Sequence, residues 1–423
     1  MLVYSKYINI RHLYYIPTCY YIMIHFQLPR NTPDLYSFLT CKLTTTAQES
    51  PDISGSLSYY LGDIKQRIQL HADNWDIYKR YTNPYEYIHT CVPNKKKSVA
   101  KRKPLSRSYF KMVELTSFFR LLDVRSITSS KSGIRSFHLA EGPGGFIEAL
   151  SHMRENKLDT YIGMSILDDV NDTNVPAWKK SQQFLRENRN VHIENGADGT
   201  GNILKLDNFE YCKNKYGRSM HIVTGDGGFD FSSDFNNQEH HIIKLLFGQI
   251  VYALVMQCEG GCFILKMFDC FTHPTIDMLA LLSSCYEKVY ITKPQTSRYA
   301  NSEKYLVCKG FLNIPLEKMY PLLHGAFSQL LLSDSTQRIE RFFNIPMSLL
   351  FTMKIEEYNA IFGQQQIENI HYTLFLIESY HKNDKVEGLI KKNVQKCVLW
   401  CEKYNVSFNN IANTNVFLEE EAF

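Results

Sequence analysis

The chain has 423 residues, 44% of them hydrophobic and 21% charged, with a formal net charge of +4. That length accommodates one catalytic-size core plus flanking regions, and the composition excludes disorder over most of the chain. So mild a charge excludes a uniformly cationic surface, so a polyanionic partner has to be met by a local basic patch. The eleven cysteines are odd in number and lie in apolar segments, which argues against a disulfide framework and for reduced, buried thiols.

From Met1 to Gln27 the chain is aromatic and apolar, but Lys6, Arg11, His12 and Pro17 interrupt it before a bilayer-length run develops. Neither a membrane span nor a secretory leader is expected. The basic run Asn94 to Pro104, poor in apolar residues and closed by proline, marks a boundary after a first region, 1–104. That run is a solvated linker, a phosphate-attracting stripe or an import signal. Next, β-like runs alternate with helical ones over 105–315, the pattern of an α/β domain with a mostly parallel sheet.

The strand candidates are Ser136–Ala140, Thr160–Ser165, Val191–Glu194, His221–Thr224, Cys262–Met267, Lys288–Thr292 and Lys304–Cys308. Between the fourth and fifth, Gln238–Gln257 carries Ile242, Leu245, Leu246, Val251 and Leu254 at helical spacing. The connection Lys293–Glu303 is too short for a crossover helix, so the last strand should pair antiparallel with its predecessor. A seven-stranded sheet is expected, six strands parallel and one reversed, with helices on both faces. After Pro315 the pattern turns mainly helical, giving a third region, 316–423. The pairs Cys258/Cys262 and Cys397/Cys401 lack a second ligand pair for zinc, and His240/His241 lack the one-turn spacing of a helical metal site.

The first strand candidate runs into Glu141-Gly142-Pro143-Gly144-Gly145, and helical character resumes at Phe146. A glycine-rich turn between strand and helix lets backbone approach a nucleotide-like ligand at the carboxyl edge of the sheet. A dinucleotide fingerprint would need a third glycine where Ile147 stands and an acidic residue ending the second strand, where the chain reads Met164-Ser165-Ile166. The nicotinamide reading is weakened accordingly.

Four charged residues lie where this topology converges them. Lys111 stands in Arg107-Ser108-Tyr109-Phe110-Lys111 ahead of the first strand, and Asp226 ends the fourth strand in Thr224-Gly225-Asp226-Gly227-Gly228. Lys266 ends the fifth in Phe263-Ile264-Leu265-Lys266, and Glu303 opens the seventh in Asn301-Ser302-Glu303-Lys304-Tyr305. With these contexts the segment from about Leu105 to Pro315 resembles the FtsJ (RrmJ-like) RNA ribose 2′-O-methyltransferases, and within them the cap-methylating branch.

The resemblance implies a Rossmann-like methyltransferase fold and S-adenosylmethionine as cofactor, with no metal. It implies Lys111, Asp226, Lys266 and Glu303 as catalytic residues, Lys266 being central. Glu141, Gly142, Pro143, Gly144, Gly145, Phe146, Asn202 and Asp226 would hold the cofactor. RNA, in particular capped mRNA, would be the partner, alongside a capping or transcription machinery. Arg107, Ser297, Arg298 and Asn301 are the expected RNA contacts, with Tyr299 and Phe229 as stacking candidates. Asn202 departs from the pattern, since the cellular cap enzymes carry an acidic residue there. Likeness to a viral member implies action in a host cytoplasm and, further, packaging in a virion. The alternative is a catalytically inactive RNA-binding subunit on the same fold.

Overall fold

The computed structural model describes residues 23–46, 51–130, 132–167, 177–228, 238–334, 336–379 and 383–409. The described residues form ten strands: β1 (His25–Gln27), β2 (Leu39–Thr44), β3 (Arg135–Leu139), β4 (Thr160–Met164), β5 (Val191–Ile193), β6 (Met220–Gly225), β7 (Gln257–Met267), β8 (Tyr286–Thr292), β9 (Lys304–Phe311) and β10 (Arg338–Phe343). Eight of them form one sheet in the order β1-β8-β9-β7-β6-β3-β4-β5. Along it, β7, β6, β3, β4 and β5 pair in parallel, and β9 runs antiparallel to both β7 and β8. All seven expected strands are found, with the reversed last strand inserted between β7 and β8.

The expected count of seven is corrected to eight by β1. Phe26 pairs with Ile291 and adds an antiparallel edge to β8. Three residues inside an aromatic stretch show no period of their own, and the strand exists because β8 would otherwise present an open edge.

Alternation along β7 shows how the sheet is buried on both faces. Phe263 and Leu265 join one apolar cluster with the helix Gln238–Met256, while Cys262 and Ile264 join another with the helices Ser108–Phe118 and Gly145–Arg154. Polar residues inside the sheet are paired: His138 bonds Thr224 Oγ1 and Ser136 Oγ, each at 2.8 Å, and burial pushes its imidazole down to about 3.

The regions before and after the core meet each other. Strand β2 pairs with β10, and the helix Gly55–Gln69 packs on the helix Leu349–Glu378. Within the basic run, Lys95 to Lys97 are exposed, whereas Ser98, Val99 and Ala100 are buried, Val99 N donating to Tyr87 O and Ala100 bridging to Phe408.

Among the charged contacts that join the first region to the core is a buried cluster at Asp269. Asp269, just past β7, is 7% exposed and lies between Lys65 Nζ at 3.1 Å and Lys304 Nζ at 3.5 Å. Burial pushes its carboxyl up, but the two ammonium groups outweigh that and hold it below its ordinary value. Removing one partner from such a site leaves a poorly compensated buried charge. Lys65→Met should therefore lower unfolding free energy by about 3 kcal/mol in a denaturant titration, whereas a loss under about 1 kcal/mol would show that Lys304 suffices alone.

Candidate active site

The four charged residues converge at the carboxyl edge of the sheet as two ion pairs. Lys111 Nζ, from the helix Ser108–Phe118, lies 2.7 Å from Glu303 Oε1, just before β9. Lys266 Nζ, near the end of β7, lies 3.3 Å from Asp226 Oδ1, just past β6, and also donates to Asp226 O at 2.5 Å. Their side chains are only 12–15% exposed. At such burial, charge is weakly screened and each member depends on its partner.

Tyr305 joins the two pairs. Its hydroxyl donates to Asp226 Oδ1 at 2.9 Å, and Lys111 Nζ lies 5.7 Å from its ring centroid. Sequence reasoning missed this residue, although Tyr305 stands two positions after Glu303 and so on the same face of the extended backbone. Burial pushes Glu303 up, yet Lys111, Lys266 and Lys293 together hold its carboxyl down at about 2.

The glycine turn follows β3 and starts the helix Gly145–Arg154, with Gly144 as its N-cap. Two glycines face protein where an open cradle was expected. A Cβ on Gly145 would lie 2.1 Å from Ser106 Oγ, and one on Gly142 would lie 2.5 Å from Ala177 O. Gly145 thus lets the loop press against the segment that leads into Lys111, and Gly142 lets it press against Ala177. The carbonyl of Pro143 accepts from Ser181 Oγ, and Phe146 is buried and contributes its backbone N–H, which donates to Glu141 Oε1 at 2.5 Å.

Glu141 carries the turn's chemistry. Burial and the nearby Asp226 carboxylate push it well above the usual carboxylate range, and its Oε2 is buried with no hydrogen-bond partner. Asn195 Oδ1, beyond β5, is likewise buried and unpartnered. Two mutually repelling carboxylates and two unmet acceptors along one sheet edge fit a ligand with a cationic centre and several donors, as S-adenosylmethionine has. Asn202 lies on the loop beside the end of β4, where Leu167 N donates to Thr200 O; its Oδ1 accepts from Leu204 N at 2.9 Å.

The four expected RNA contacts are each bonded or packed within the chain. Arg298 makes two bonds to the buried Glu86, at 3.0 and 2.8 Å, and Arg107 donates to Glu86 at 3.1 Å and to Thr296 O at 2.8 Å. Both guanidinium groups are held by a carboxylate of the first region, and Ser297 is 1% exposed. Asn301 is exposed, but its carbonyl and its Oδ1 each accept from Lys293 Nζ at 2.8 Å. These four therefore shape the turn Lys293–Ser302 and its anchor. Tyr299 is half-buried on the same turn, and Phe229 lies outside the described residues.

At the helix start expected from Glu239-His240-His241, Glu239 is buried and accepts from Phe271 N, Thr272 N and Thr272 Oγ1, fastening two helices. Cys262, Cys397 and Cys401 are buried, as expected of packing thiols.

Because Glu303 is held at about 2 against an ordinary 4.5, its ionised form contributes stability that is complete above pH 4.5 and is lost as pH falls through about 2. The stability difference between the wild type and Glu303→Gln should therefore shrink as pH falls across that window in denaturant titrations. A difference that stays constant contradicts the pairing.

Comparison with known proteins agrees with this geometry. The FtsJ-like methyltransferase pattern matches residues 104–311. Cap-specific mRNA (nucleoside-2′-O-)-methyltransferase 1 of Trypanosoma brucei brucei is 30% identical over 272 residues, covering 62% of this chain and 70% of that protein. Cap-specific mRNA (nucleoside-2′-O-)-methyltransferase 2 of Pongo abelii is 28% identical over 388 residues, 89% of this chain and 48% of that protein. Methyltransferase 1 of Mus musculus is 33% identical over 220 residues, 49% of this chain and 26% of that protein. The chain thus spans less than half the length of the two mammalian relatives. With the tetrad assembled and the whole catalytic segment matched, the chain belongs to the FtsJ-like methyltransferase family.

Proposed function

We propose that the chain transfers a methyl group from S-adenosylmethionine to a ribose 2′-hydroxyl of RNA, at a cap-proximal nucleotide of mRNA. The observation that carries this reading is the pair of lysine–carboxylate contacts, Lys111–Glu303 and Lys266–Asp226, at the sheet edge that also carries the glycine turn. The cofactor, when bound, supplies an electrophilic methyl on a sulfonium. Glu141 and Asp226 would hold its cationic side, and Asn195 with the Asn202 loop its nucleoside side.

The protein's own contribution is alignment and charge. Lys266 Nζ, fixed by both the carbonyl and the carboxylate of Asp226, is the atom placed to orient the hydroxyl and meet the charge that develops on its oxygen. Lys111 supplies a second ammonium, and Glu303 and Asp226 keep the two cations from repelling one another apart. A purely RNA-binding role would gain nothing from two half-dry ion pairs, whose desolvation is costly unless they serve chemistry or geometry.

Both numbered types of cap methyltransferase are among the relatives, which supports the mRNA address without choosing the nucleotide. The same reading includes work beside a capping or transcription machinery, and the viral likeness adds a host cytoplasmic setting with packaging in the virion. A capped transcript incubated with labelled methyl donor should gain label, and an uncapped transcript of the same sequence should gain far less. Lys266→Ala should lower the rate at least about a hundredfold while leaving S-adenosylhomocysteine affinity nearly unchanged. Label transferred equally to both transcripts removes the cap from the account, and full activity of the variant removes Lys266 from its centre.

A further inference from the structure

The two ion pairs are held by different means. Asp226 and Lys266 belong to adjacent strands, so the β6–β7 ladder sets their spacing. Lys111 sits on a helix and Glu303 at the end of the turn Lys293–Ser302, and no strand ladder relates them. Something else must set the 2.7 Å contact between them.

One helical turn after Lys111, Glu114 is fully buried and accepts four hydrogen bonds. The donors are Gln295 N at 2.7 Å, Thr296 N at 3.1 Å, Thr296 Oγ1 at 3.0 Å and Trp400 Nε1 at 3.4 Å. They match the roughly four acceptor sites of an ionised carboxylate. Three of them belong to the turn that ends in Glu303. Burial pushes the Glu114 carboxyl up against their pull, and a donor lost from so buried a site leaves an acceptor unsatisfied. The fourth comes from the helix Asn383–Lys403, where Trp400 is 2% exposed and meets Phe110, the neighbour of Lys111, edge-on at 5.9 Å. At the far end of the turn, Lys293 Nζ donates to Glu303 O at 2.7 Å, so the turn is clamped at both ends.

We propose that Glu114 is a positioning residue for methyl transfer and that Trp400 makes the C-terminal helix part of the catalytic apparatus, the two together setting the Lys111–Glu303 separation. The proposal rests on the methyl-transfer reading above. It assigns work to a region in which the sequence shows no motif. Misplacing a reacting group by about 1 Å can lower a rate up to about a hundredfold, so a loosened turn should appear in kcat. Cofactor affinity should not follow, because Glu141 and Asp226 lie on the other half of the site.

Glu114→Gln replaces an acceptor oxygen with an amide that faces donors, and Trp400→Phe removes the indole N–H while keeping an aromatic ring against Phe110. In the full chain, kcat per S-adenosylhomocysteine-binding site should fall about tenfold or more for Glu114→Gln and about threefold for Trp400→Phe, with the affinity for that ligand within about twofold of wild type. A structural role alone would lower the fraction of binding-competent protein but not kcat per competent site. Wild-type kcat per site in both variants overturns the proposal. If Glu114→Gln does not fold, Trp400→Phe decides by itself. Crystal structures of wild type and Trp400→Phe give a reading free of any RNA: the Lys111 Nζ–Glu303 distance should lengthen in the variant, and an unchanged contact overturns the proposal. A wild-type enzyme that methylates no ribose counts against the reaction, while the distance still judges the positioning.

Discussion

Two lysines and two carboxylates lie largely buried at one edge of the sheet, and the surrounding contacts keep each charge beside its partner. An ion pair this buried loses most of its hydration, so its geometry must be good or its formation is unfavourable. The sheet secures one pair directly, through the neighbouring strands β6 and β7. The other pair has to be built from a helix and a turn, and much of the remaining molecule bears on that turn. Lys293 binds its two ends, Glu114 its start, and Arg107 and Arg298 tie it to Glu86.

Seen this way, the flanking regions are components of the site. Glu86 comes from the first region, and Trp400 and Gln366 come from the last, Gln366 donating to Ala300 O at 3.1 Å. Strand β1 closes the sheet edge next to β8, and Lys65 reaches the core at Asp269. The match to the Pongo abelii relative over 89% of the chain, against 104–311 for the family pattern, fits regions that fold onto the core.

The strands β3 to β9 were legible because each is a short apolar run bounded by turn residues, and the reversed β9 followed from the length of one connection. The tetrad was legible because each member sits in a recognisable local context at a strand end or before one. Arg107 and Arg298 were expected to meet RNA, and their partner within the chain was not legible because Glu86 lies 21 and 212 residues away and nothing local marks it as an anchor. Glu114 escaped notice for the same reason: its donors come from residues more than 180 positions distant. Gly142 and Gly145 were expected to let backbone approach a ligand, and only the folded chain shows that protein atoms lie against both. Long-range partners of buried charges leave no periodic trace, whereas strands and turns do.

The central claim is that this site directs a methyl group to a ribose oxygen, and the chemical identity of the product tests it most directly. RNA modified by the full chain, digested to nucleosides and separated by mass spectrometry, should contain a 2′-O-methyl nucleoside, located by sequencing within the first nucleotides after the cap. Methyl found on a base, or no methylated nucleoside from protein that binds S-adenosylhomocysteine, would contradict the account.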